Sequence, residues 1–158
     1  MTARLLVVLL LTVPCVSLAR DRAGGGNPIP APGPTTRESD VEAKGRTLLN
    51  EWKARFDAER FNYTVAGPFV IAGDGSAARI ARYRDGTVLA AARALKATYF
   101  DNVPTEPVLI LLFERAEPYK RLAKKWFGDA DVPHFGFFRR TDGVMLMNVG
   151  TGTGTLVH

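Results

Sequence analysis

Residues Asn148 to His158 read NVGTGTGTLVH: a glycine-threonine loop, two aliphatic residues and one of only two histidines in the sequence. A glycine loop at a helix N-terminus can cradle an anion through its backbone N–H groups. That chemistry finds no support here. No Gly-Lys-Ser/Thr follows for a nucleotide triphosphate, and no long βαβ unit with a downstream acid follows for a dinucleotide. A metal offers a different chemistry. Thr155 is a competent N-cap for a helix starting near Leu156, whose aliphatic side would be buried. Were that helix completed as His-Glu-x-x-His, two histidines four residues apart would share one face and grip Zn²⁺. The glutamate would then act as general base on the metal-bound water.

The other chemistry-bearing residues offer less. His134, after Val132-Pro133, has neither a supporting carboxylate nor a metal-ligand spacing to His158 and reads as an ordinary surface or half-buried side chain. Asp129 and Asp131 lack the remaining oxygen ligands of a calcium loop. Cys15 is the only cysteine.

Several elements must position the glycine loop. Ser39 to Arg60 carries Val41, Leu48, Leu49, Trp52 and Phe56 at helical spacing, with Ser39 and Glu42 as a capping box. Gly45 weakens its first turns by roughly 1 kcal/mol relative to alanine. A strand follows at Phe69 to Ala72, with a short one before it at Tyr63 to Ala66. A second helix, capped by Asp74 or Ser76, has an inward line through Ile80, Tyr83, Val88, Ala91, Leu95 and Tyr99. It stops at Asp101-Asn102-Val103-Pro104. The unbroken apolar run Pro107 to Phe113 predicts a central strand covered on both faces. Pro118 lies in the first turn of a third helix, with Tyr119, Leu122, Ala123, Trp126 and Phe127 inward and Gly128 as its stop. His134 to Arg140 and Val144 to Val149 flank Thr141-Asp142-Gly143, a hairpin signal. The order predicts an α+β fold, a mixed α/β layer around one mixed sheet, with a late β-hairpin and the glycine loop leading into a truncated active-site helix.

From about Phe69 to His158 the sequence resembles the N-terminal half of a gluzincin-type zinc metallopeptidase domain, closest to secreted, peptidase-like bacterial proteins. The elements that carry the resemblance are Leu109-Ile110-Leu111-Leu112-Phe113, Tyr119, Gly136-Phe137-Phe138, Met145-Leu146-Met147-Asn148 and Gly154-Thr155-Leu156-Val157-His158. The resemblance implies a zincin-like fold, Zn²⁺ as cofactor, and His158 as the first zinc ligand. It also implies that Val144 to Asn148 is the antiparallel edge of the cleft, where an extended peptide or protein substrate adds by main-chain hydrogen bonds. Met147, Asn148 and Gly150 would then border the substrate. A plainer role is open to them as well: glycine permits a tight strand-to-helix turn and asparagine tolerates turn geometry. The catalytic glutamate, the second histidine and the family's third ligand, a glutamate, would lie beyond His158. The 158 residues are therefore expected to be a catalytically inert fragment of a zinc-dependent peptidase, with no catalytic residue of their own. Without the active-site helix, an exposed apolar patch is expected near Leu146, Leu156 and Val157. An exported, non-catalytic peptide-binding or scaffolding module is the alternative.

The N-terminus bears on location. Met1 to Ala19 has a charged Arg4, an apolar run from Leu5 to Val13 and a small-x-small Ser17-Leu18-Ala19, the anatomy of a secretory signal peptide too short to span a bilayer. Cleavage after Ala19 removes Cys15, leaving no thiols. Export without disulfides suits a bacterial periplasm or exterior. Residues 20–38 are a Gly/Pro-rich linker, residues 39–60 an amphipathic helix and residues 61–158 the metallopeptidase-like portion. The mature chain keeps 20 basic residues against 16 acids, a net +4. Those bases are dispersed, and only Lys120 to Lys125 clusters, so a nucleic-acid partner is not expected. Nor is stable membrane insertion after signal cleavage.

Overall fold

The computed structural model describes residues 36–98 and 104–151. The expected signal peptide, most of the expected linker, residues 99–103 with Tyr99, and the segment 152–158 with His158 lie outside the described residues.

A long helix α1 (Thr36–Ala58) precedes a hairpin of β1 (Asn62–Ala66) and β2 (Phe69–Gly73). Helix α2 (Ala77–Tyr83), a π-helical turn (Arg84–Val88) and α3 (Leu89–Thr98) lead to β3 (Val108–Phe113). Then come α4 (Ala116–Phe127), the hairpin of β4 (Gly136–Arg139) and β5 (Val144–Asn148), and a 3₁₀ turn (Val149–Thr151). The five strands form one sheet in the order β1-β2-β3-β5-β4. Strands β2, β3 and β5 are parallel, while the outer strands β1 and β4 run antiparallel to their neighbours. The fold is α+β with a mixed sheet, as the alternation of helical and strand patterns predicts.

The apolar run at 108–113 becomes the middle strand because only a strand covered on both faces can hide every side chain. Leu109 to Phe113 are all buried. Its odd-numbered residues Leu109, Leu111 and Phe113 face a core shared with Trp52 and Phe56 of α1 and Tyr119 and Leu122 of α4. Ile110 and Leu112 face a second core with Ile71, Ile80, Val88, Met147 and Val149. Burying such side chains supplies roughly 1.5–3 kcal/mol each. The first core is rich in rings: Trp52 lies edge-on to Trp126 at 5.6 Å and stacks on Phe127 at 5.7 Å. Helix α1 thus belongs to the same core as the sheet it docks on.

Three expectations need correction. Helix α1 starts at Thr36, so Ser39 lies inside it and is not its N-cap. Gly45 is buried, and a Cβ there would make ordinary contacts of 3.4–3.8 Å with Val65, Gly67 and Val70. The second helix does not keep one apolar line. In its π-helical turn the Leu89 N–H reaches the Arg84 carbonyl, five residues back instead of four. That extra residue rotates the helix after it, and α3 buries none of its side chains, leaving Leu95 44% exposed. Leu146, expected in an exposed patch, is fully buried under α4, and Leu156 and Val157 lie outside the described residues. Phe135 and Phe138 are exposed instead.

Other local signals hold. Ser76, not Asp74, caps α2, its hydroxyl accepting from the Arg79 N–H at 3.3 Å. Gly128 ends α4 in the left-handed conformation at φ 76°. Among the described residues no helix is long and apolar enough to cross a membrane.

Candidate functional site

The edge strand at this end of the sheet is not the one the resemblance implies. β5 pairs with β3 along one flank and with β4 along the other, so its main-chain groups are used. On this side of the sheet the antiparallel edge is β4, the strand before β5 in the chain. An extended substrate therefore has no room to add to Val144–Asn148. The open flank at this end of the sheet belongs to Gly136–Arg139.

Register decides which groups of β4 are available. Gly136 faces Met147 and Phe138 faces Met145, while Phe137 faces Leu146 and Arg139 faces Val144. The Asn148 N–H donates to the Phe135 carbonyl at 2.8 Å, which extends this register by one pair. Hydrogen-bonded and non-bonded pairs alternate in an antiparallel ladder. Phe135, Phe137 and Arg139 therefore turn their main-chain groups toward β5, and Gly136 and Phe138 turn theirs outward. Phe138 (48% exposed) stands on the open side, with Phe135 (54%) at the start of the strand.

Buried groups hold the start of this edge. Three successive carbonyls are occupied: Pro133 by the Tyr119 hydroxyl at 2.7 Å, His134 by the Asn148 side-chain amide at 3.1 Å, and Phe135 by the Asn148 backbone. Tyr119 is fully buried, and that burial, with the nearby Asp129 charge, pushes its hydroxyl pKa up to about 12. It is a hydrogen-bond donor here, not an acid. The other end of β4 is tied by charge. The Arg139 guanidinium stacks over the Phe127 ring at 5.0 Å and pairs with Asp129 and Asp142.

The three residues expected to border a substrate converge at the end of β5, but not as a lining. Met147 is buried in the second core. Asn148, 2% exposed, is a bracket beneath the start of β4. Gly150 packs on the end of β3: a Cβ there would stand 2.2 Å from the Glu114 carbonyl oxygen. Their plainer structural roles are the ones visible.

Two carboxylates escape sequence reasoning as a pair, Asp74 reading there only as a candidate helix cap. Asp74 follows β2 and Glu114 follows β3, at the C-terminal ends of parallel strands, where open α/β sheets receive ligands. Asp74 accepts the Glu114 N–H at 2.7 Å, and Glu114 pairs with Arg79 at 3.1 Å. Burial raises the Asp74 carboxyl above its ordinary range, the Glu114 charge adding to it. Asp74 Oδ2 and Glu114 Oε1 are buried without a hydrogen bond among the described residues. The available signal is positional: an acid directly after an apolar strand, in Phe113-Glu114 and Ala72-Gly73-Asp74.

No family model, no curated protein and no solved structure matches this chain. The donor set does not amount to a zinc site either. Among the described residues no group of three or more His, Cys, Asp or Glu side chains could hold a metal ion. His134 is exposed and its ring stands edge-on to Phe135 at 5.0 Å. His158 lies outside the described residues, so no zinc-dependent step is assigned to these side chains.

Proposed function

We propose that this chain is the substrate-holding part of an exported zinc-dependent peptidase and captures extended peptide along β4. His158 would be one metal ligand, and the catalytic glutamate and remaining ligands would not be among these 158 residues. The observation that carries the reading is the open flank of β4, with the main-chain groups of Gly136 and Phe138 turned outward beside exposed Phe138. An added strand would gain backbone hydrogen bonds there, and the ring would offer an apolar contact. The chain continues from β5 into the glycine loop that carries His158, so a peptide on β4 would lie one strand away from the start of that loop.

Two measurements test it separately. Titration with an extended apolar peptide should shift the amide resonances of Gly136 and Phe138. Shifts confined elsewhere, or none, would remove the binding role. For the peptidase class, the codons after His158 should spell glutamate next and histidine four positions on. A different reading there leaves the exported, non-catalytic binding module, which the same open edge would serve.

A further inference from the structure

We infer that the β4 edge is also a self-pairing surface, through which two copies of this chain join by antiparallel β4 strands. The inference stands apart from the peptide reading. The outward bonding positions are 136 and 138, symmetric about Phe137. A second β4 laid antiparallel and centred on Phe137 sets residue 136 of each copy opposite residue 138 of the other. Four main-chain hydrogen bonds then close a two-fold arrangement that ends with itself.

The side chains suit that register. Positions 136 and 138 point to the face that carries Met145 and Met147. Phe138 is half exposed on that face, and opposite it in the paired form stands Gly136 of the partner subunit, with no side chain to contest the space. An aromatic ring across from an edge glycine is a recognised way to stabilise such a pair. The glycine itself is fixed by the fold: its φ is 148°, and a Cβ there would meet the Leu146 carbonyl oxygen at 2.4 Å and the Met147 sulfur at 2.8 Å. On the opposite face Phe137 meets its own equivalent. Only its shortness and the terminal Arg139 blunt this edge. Gly136-Phe137-Phe138-Arg139 has no proline and no charge at its centre, and among the described residues no strand pairs with its outer flank.

Size sets the strength. Two four-residue strands bury less than the roughly 1,200 Å² of a standard stable interface, so the dimer is weak and concentration-dependent. It also occupies the groups an added peptide would use, so peptide and self-pairing compete.

Sedimentation equilibrium of the 158-residue chain, from micromolar to millimolar, tests this. The mass should rise from monomer toward dimer, while hydrogen exchange of the Gly136 and Phe138 amides slows with concentration. Phe138→Lys sets a charge in the pair and Phe138→Pro removes the outward N–H without touching the ladder to β5; each should weaken association by about tenfold or more. A monomer across the whole range overturns the inference, as does a dimer that survives both substitutions in folded protein. If the variants do not fold, wild-type exchange decides. Slowing at Gly136 and Phe138 upholds the pairing; slowing confined to other sites, or absent, overturns it.

Discussion

Asn148, 2% exposed, reaches across fourteen residues of sequence to donate its side-chain amide to the His134 carbonyl, 3.1 Å away. With its backbone N–H on Phe135, it holds two of the three carbonyls that start the edge strand. The residue therefore governs the candidate peptide site from beneath, without lining it.

Asn148→Ala removes the donor and leaves a small void under the strand. The expected loss is about 1–3 kcal/mol of stability, the scale of a buried hydrogen bond left unmade. Urea unfolding would measure it. Faster exchange confined at first to residues 134–138 would tie the effect to the edge rather than to the whole fold.

Tyr119→Phe should cost about 1 kcal/mol, because the Pro133 carbonyl loses its 2.7 Å donor while the ring packing stays. A pH signature accompanies it. The folded state holds the tyrosine proton more tightly than the unfolded chain, from the ordinary 10.0 up to about 12. Stability from this group is fully present below pH 10 and declines as pH rises through 12. The phenylalanine variant should lose that part of the alkaline decline in a melting-temperature profile.

Glu59 joins α1 to α4 by accepting from Arg121 at 2.9 Å and Lys125 at 2.8 Å. The two cations hold its carboxyl at about 2, below the ordinary 4.5. Its contribution is present above pH 4.5 and lost as pH falls toward 2. The cations are about half exposed, so the contribution is about 1 kcal/mol or less. Glu59→Gln should flatten that acid limb in denaturation measured across pH, and unchanged acid sensitivity would argue against the bridge.

Three glycines should respond in opposite directions to alanine. At Gly45 a methyl meets Val65 at 3.4 Å and nothing closer, so better helix propensity should raise stability by up to about 1 kcal/mol. At Gly150 it meets the Glu114 carbonyl at 2.2 Å, and at Gly136 the Leu146 carbonyl at 2.4 Å. Both of those are backbone atoms and cannot swing away, so Gly150→Ala and Gly136→Ala should lower the melting temperature.

Much of this architecture is legible in local sequence. Leu109 to Phe113 has no polar position, and only a strand covered on both faces tolerates that. Ser76 and Gly128 announce helix ends through their own backbone chemistry. Leu95 shows where such reasoning stops: its outward turn depends on one additional residue in the π-helical segment, and spacing alone carries no mark of it. The edge is misread for a related cause. Val144 to Asn148 and His134 to Arg140 both look like strands, but which one has a free flank depends on β3 pairing with β5, a contact made across 35 residues. Asn148 reads locally as a turn residue. Its burial is settled only once the strand before it is in place.

The two ends of β4 are fastened by different physics. Its beginning is gripped by neutral donors sealed from solvent, and its finish by guanidinium and carboxylates near water. Dissolved ions weaken only the second kind of fastening. Raising ionic strength should therefore loosen the strand from Arg139 backward like a strip lifted from one corner, leaving Pro133 to Phe135 pinned.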